Sequence, residues 1–132
     1  MKNFLLYLWQ LPQNLLGLCV IKFTKAIKKS HKTGIVYWYT KRYQFGVSLG
    51  NYIIIGNYMD YVSDKTVKHE HGHQYQSMYL GWLYLLIVGL SSIVRNIWDR
   101  IAHRKWSYIE SNDWYYSQFP ERWADVLGGV KR

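Results

Sequence analysis

Ser63-Asp64-Lys65-Thr66-Val67-Lys68-His69-Glu70-His71-Gly72-His73 is the stretch on which the reading of this chain turns. Ser63 or Asp64 can cap a helix, and the pattern predicts one from about Lys65 to Tyr79. On a helix, residues four apart lie one above the other, so His69 and His73 present two imidazoles on one face. That pair suits a single metal ion, with Glu70 beside it to take a proton from water. His71 falls on another face and is not a candidate ligand. Gly72 costs about 1 kcal/mol against alanine in a helix interior. Its missing side chain suits the close approach of a strand or another helix.

A catalytic zinc keeps three protein ligands and one open position, so the pair asks for a third. Further on, the chain reads Phe119-Pro120-Glu121-Arg122-Trp123-Ala124-Asp125. Pro120 suits the start of a helix, because its missing N–H costs nothing in a first turn. Glu121 and Asp125 then share a helical face. Glu121 is the candidate third ligand. Asp125 is placed to accept the free ring N–H of a ligand histidine and so fix its tautomer. Glu110 and Asp113 are rival carboxylates without a partner four residues away. Tyr115 and Tyr116 can stabilise an oxyanion or simply pack, and His103 reads as a surface residue. The plainer alternative for the whole set is a helix with solvated or packed histidines and an exposed acidic turn.

H-E-x-x-H followed by E-x-x-x-D resembles the thermolysin-type, or gluzincin, zinc metallopeptidases. The resemblance implies that His69, His73 and Glu121 bind Zn2+, that Glu70 is the base that activates water, and that Asp125 stands behind a ligand histidine. It also implies that a strand beside the motif helix pairs with an extended peptide by β-augmentation. The chain is similar as well to a group of small uncharacterised bacterial membrane-associated proteins regarded as metalloproteases. That likeness lies in Lys68 to Ser77, Leu80 to Ser92 and Glu121 to Val130, and covers most of the chain beyond Gly46. The chain departs from the larger proteases in its length, which leaves no room for a second substrate-binding lobe.

At 132 residues the expectation is one domain, 1–132. Its 49% hydrophobic and 18% aromatic content is rich in Tyr and Trp, which concentrate at membrane–water interfaces. The net charge of +9 is uneven. No carboxylate precedes Asp60, whereas Lys2, Lys22, Lys25, Lys28, Lys29, Lys32, Lys41 and Arg42 do. The positive N-terminal part suits an anionic membrane lipid surface; no nucleic-acid motif is present, and no nucleic-acid partner is expected. Cys19, the single cysteine, excludes an internal disulfide and reads as a small buried hydrophobe.

Residues 1–32 read as an apolar helix over Asn3 to Ile21, lying in the membrane interface, with a basic stretch touching headgroups. A helix covering a soluble core is the alternative. Residues 33–58 read as β, with strands at Ile35–Thr40, Tyr43–Leu49 and Tyr52–Ile55. Gly46 is expected as a bulge and Gly50-Asn51 as a turn. Residues 64–132 read as the helical metal-site region. Within them, Met78 to Val94 is apolar but spans only about 25 Å as a helix, against a ~30 Å hydrocarbon core. If His73 and Glu121 bind one ion, both ends of this segment stay on one side of a membrane. The segment is then re-entrant, bent or interfacial, with Gly81, Gly89 and Ser91-Ser92 as places to bend; a buried core helix is the alternative. Asn112-Asp113 reads as a turn, and Gly128-Gly129 ends the last helix.

The expected fold is therefore α+β. A small antiparallel sheet packs on the motif helix, with an N-terminal apolar helix and a bent apolar helical segment. The expected function is a membrane-associated zinc-dependent hydrolase, a peptidase, at the cytoplasmic face of the cell membrane and acting on a peptide or protein substrate. Two alternatives stand beside it: a non-catalytic membrane-bound protein with structural zinc, and a metal-free amphipathic membrane-binding module.

Overall fold

The structure is a computed structural model that describes residues 3–132. Met1 and Lys2, at the start of the expected 1–32 segment, lie outside the described residues. The chain is α+β, with a four-stranded mixed sheet and six α-helices among the described residues. The N-terminal apolar stretch forms two helices, α1 (Phe4–Trp9) and α2 (Leu11–Thr24). Asn3 caps α1 by accepting from the Leu5 N–H. Pro12 lacks the N–H that a continuous helix would need, and the chain breaks at Gln10.

Four strands follow: β1 (Ile27–Ser30), β2 (Val36–Thr40), β3 (Phe45–Leu49) and β4 (Tyr52–Gly56). β1 lies in the lysine run that the sequence assigns to lipid contact. It pairs antiparallel with β2, its alternation being too polar to stand out as a strand. The sheet order is β1-β2-β4-β3, with β2 and β4 parallel, so the sheet is mixed rather than antiparallel. The reason lies in β4. Ile53 and Ile55 pack with Tyr37, Tyr39 and Val67 on one face, and Ile54 packs with Ala26 and Leu49 on the other. A strand buried on both faces belongs in the middle of a sheet, so the β3–β4 hairpin folds β4 inward against β2. The hairpin turns at Gly50, whose φ is +63°. Gly46 pairs in regular register with Ile55 and forms no bulge.

Helix α3 (Asp64–Leu80) opens with Ser63 accepting from the Thr66 N–H and packs across β3 and β4. At Gly81, with φ +54°, the chain leaves α3 through a 3-10 turn (Gly81–Leu83) and a π turn (Leu85–Gly89) into α4 (Leu90–Ala102). The bend between the two arms is 115°, and among the described residues no single helix is long and apolar enough to cross a membrane. Side chains from the N-terminal helices serve backbone acceptors at the break: the Trp9 indole donates to Met78 O, and Gln13 Nε2 to Gly81 O. The apolar segment is not a buried core helix; only Tyr84 and Val88 of its large side chains are buried. Cys19 is likewise exposed.

α5 (Tyr108–Ser117) runs through Asn112-Asp113, where a turn was expected. Its start carries a capping box, Ser107 with Glu110, which outweighs two residues of turn preference. That box also occupies Glu110. α6 (Glu121–Gly128) begins directly after Pro120 and ends at Gly129, with φ +71°.

The tightest packing joins α3 to α6. A Cβ on Gly72 would lie 1.9 Å from Ala124 O, and one on Gly128 would lie 2.0 Å from Lys68 O. The two backbones touch, and neither side can yield without moving a helix. Gly128→Ala is expected to destabilise the protein by about 3 kcal/mol or to prevent folding, read as a lower urea midpoint. The exposed Val126→Ala in the same helix serves as the control, expected within about 0.5 kcal/mol of the parent.

Candidate metal centre

Residues of α3 and α6 meet across this contact. His69 and His73, one turn apart on α3, face Glu121 in the first turn of α6, and all three are buried. His69 Nε2 lies 3.0 Å and His73 Nε2 3.1 Å from the same oxygen, Glu121 Oε2. The ligand atoms of the three residues all lie within 4.8 Å of one another, so the group can hold a metal ion.

Each ring is fixed from behind. His69 Nδ1 is 2.7 Å from Asp125 Oδ1, and Asp125 also pairs with Arg132, whose guanidinium lies over the Tyr116 ring. His73 Nδ1 is 2.6 Å from Gln76 Oε1, while Gln76 Nε2 donates to Pro120 O. Gln76 therefore accepts from His73, and the Nδ1–H tautomer leaves the Nε2 lone pair facing the Glu121 carboxylate. Two acceptors face each other unless a proton or a cation stands between them, and a cation suits both. The other Glu121 oxygen, Oε1, accepts from Ser92 Oγ at 2.6 Å and from the Tyr115 hydroxyl at 3.1 Å. Oε2 alone is thus turned to the imidazoles.

Glu70 points toward the sheet. It is buried, its Oε2 has no hydrogen-bond partner, and its Oε1 would lie 2.6 Å from a Cβ on Gly46 of β3. A side chain at Gly46 would press on the tip of Glu70, so this glycine serves a close approach in place of a bulge. The donor set of two imidazoles and a carboxylate suits a divalent metal ion, and the unpartnered Glu70 oxygen is a buried polar atom left without a donor.

Burial and charge set the protonation states. Burial pushes Glu70 above the ordinary carboxylate value, against the pull of the neighbouring imidazoles. Burial opposes charge on His69 too, but its bonds to Asp125 and Glu121 prevail and lift it from 6.5 to about 9. Burial likewise opposes charge on Glu121 and Asp125. Their bonds to the histidines, and for Asp125 to Arg132, hold both below the ordinary carboxylate range.

His69, His73, Glu121 and Asp125 are thus brought together, with Glu70 alongside. Glu110 and Asp113 lie elsewhere, one serving its own helix cap and the other exposed. His71 bonds to Gln74 and packs on Tyr75, away from the group. His103 is half-buried rather than superficial, paired with Asp99 and stacked on Trp106. The sequence reading missed four supporting residues. Gln76 carried a signal, being three residues beyond His73 on the same helix. Ser92, in an apolar segment, Tyr115, considered only for an oxyanion or packing, and Arg132 carried none. Compared with known proteins, the chain matches no family model, no curated protein and no solved structure.

The sign of the charge pairs sets a pH window for the metal-free protein. Stability from Glu121 and Asp125 is present above their ordinary values of 4.5 and 3.8 and is lost as pH falls. Stability from His69 is complete below 6.5 and is lost as pH rises through about 9. Thermal unfolding of chelator-treated protein is expected to show the highest Tm between roughly pH 4.5 and 6.5. A Tm that still climbs from pH 7 to 9 would contradict these pairings.

Proposed function

We propose that the chain is a zinc-dependent hydrolase of the gluzincin type, acting on a peptide. One observation carries the reading: His69 Nε2, His73 Nε2 and Glu121 Oε2 converge within 4.8 Å beside a buried carboxylate, Glu70, with an unpartnered oxygen. His69, His73 and Glu121 would hold the zinc. When bound, zinc supplies Lewis acidity toward a carbonyl oxygen and makes water more acidic. Glu70 takes the proton from water and hands it to the leaving amine; its raised pKa brings it nearer to neutrality, where a carboxylate both accepts and returns a proton. Asp125 and Gln76 hold the ligand rings in orientation. Ser92 and Tyr115 keep Glu121 from turning its second oxygen inward.

The sheet supports a peptide as the substrate class. β3 is the terminal strand of the sheet, and Gly46 on it lies against Glu70. An extended peptide adding to that edge would carry its carbonyls past the carboxylate, with main-chain hydrogen bonds supplying affinity.

A purely structural metal fits less well. The two helices that a metal would join already touch backbone to backbone at Gly72 and Gly128. A staple there adds little, whereas a structural site leaves the buried Glu70 carboxylate without a use.

Glu70→Gln is expected to keep one zinc per chain, measured by atomic absorption. It should lose hydrolysis of a quenched fluorescent peptide library by about 10²-fold or more. Loss of zinc with activity unchanged would overturn the assignment. Stripping the metal with a chelator should abolish hydrolysis reversibly while the circular dichroism spectrum stays folded; unfolding on chelation would favour the structural reading.

A further inference from the structure

Helices α2 and α4 are inside out. On α4, Leu90, Ile93, Val94, Ile97, Trp98 and Ile101 recur at helical spacing, as they would on a core-facing stripe. All six face outward, 52–68% exposed. The inward face is polar: Ser92 donates to Glu121, Arg95 to Gln118, and Asp99 accepts from Ser111. α2 has the same inversion. Gln13 and Asn14 are buried, while Leu15, Leu16 and Leu18 are exposed. Reciprocal bonds join the two regions, from the Trp9 indole to Met78 O and from the Trp82 indole to Leu8 O. The apolar faces are thereby tied to one scaffold. A monomer ordinarily exposes apolar patches of only about a few hundred Å².

We propose that the outward faces of α1, α2, the bent turns and α4 form a docking surface for an anionic lipid leaflet, lying in it without crossing. Three observations favour lipid over a protein partner. Every part of the surface is helical, and backbone acceptors at the break are served by Trp9 and Gln13, as an apolar medium requires. The 115° bend leaves no arm long enough to reach the far side. Cations fringe the apolar faces: Lys22 and Lys25 at the end of α2, and Arg100, Arg104 and Lys105 at the end of α4. Among the described residues none of these five pairs with a carboxylate, whereas Lys29, Lys32 and Lys41 are taken up by Asp60 and Asp64. Cations beside Trp and aliphatic side chains complement an anionic headgroup layer. The docked α4 would carry Ser92, and through it Glu121, at the bilayer surface.

The test does not depend on metal or activity, so it can fail while the hydrolase reading stands, and the reverse. The full chain, freed of detergent, is floated with vesicles of phosphatidylcholine alone or with one third phosphatidylglycerol. Its indole fluorescence is measured with lipids brominated at different depths. The protein should float, bind the anionic vesicles several-fold more tightly, loosen with salt and be quenched most by shallow bromines. Ile93→Asp with Ile97→Asp should cut partitioning about ten-fold or more with circular dichroism unchanged, because both side chains are already exposed. Lys22→Glu with Arg104→Glu should remove the anionic preference alone. A soluble monomer indifferent to vesicles, a soluble dimer that the Ile93→Asp, Ile97→Asp variant dissociates, or strongest quenching at the bilayer midplane would each overturn the proposal.

Discussion

Two glycines on facing helices set the geometry on which the candidate metal centre depends. Gly72 and Gly128 let α3 and α6 meet at backbone contact, with carbonyl oxygens where side chains would otherwise stand. Each glycine costs about 1 kcal/mol of helix propensity. What it permits is proximity, because the short carboxylates of Glu121 and Asp125 reach His69 and His73 only if the two axes lie unusually close. A helix separation set by larger side chains would leave the imidazoles and carboxylates apart, each group buried and unpaired, a worse outcome than the lost propensity.

The same contact accounts for where the buried charge sits. Glu70, Glu121 and Asp125 are all withdrawn from water, and burying a carboxylate is expensive unless something answers it. His69, Arg132, Ser92 and Tyr115 answer two of the three. Glu70 keeps an unanswered oxygen against the glycine of an edge strand. A fold that satisfies two carboxylates and spares the third concentrates its cost at one point, and such points are where function is usually found.

Polarity elsewhere is turned round in a related way. Gln10, Gln13 and Ser77 form a buried polar layer where α1, α2 and the end of α3 meet, while leucines and tryptophans of α1 and α2 point outward. The sheet supplies the ordinary apolar core, built on Ile53, Ile54 and Ile55. Helices α2 and α4 are organised around hydrogen bonds inside and apolar side chains outside.

Much of this was legible in the residues. Ser63 as a cap, the four-residue spacing of His69 and His73, that of Glu121 and Asp125, and the Gly50 turn are local signals, and local geometry follows from local sequence. The capping box at Ser107 was equally local and was overlooked. What the sequence by itself determined is which side chains can share a helical face and that the apolar segment Met78 to Val94, as a helix, is shorter than a hydrocarbon core. Tertiary structure alone decided that β4 lies between β2 and β3, that the apolar faces turn outward, and that Ser92 and Tyr115 hold Glu121. Periodicity reveals that a helix has two faces, but not which of them meets the protein. That choice depends on partners distant in sequence, here the polar groups of α6 and the close approach that Gly72 and Gly128 allow.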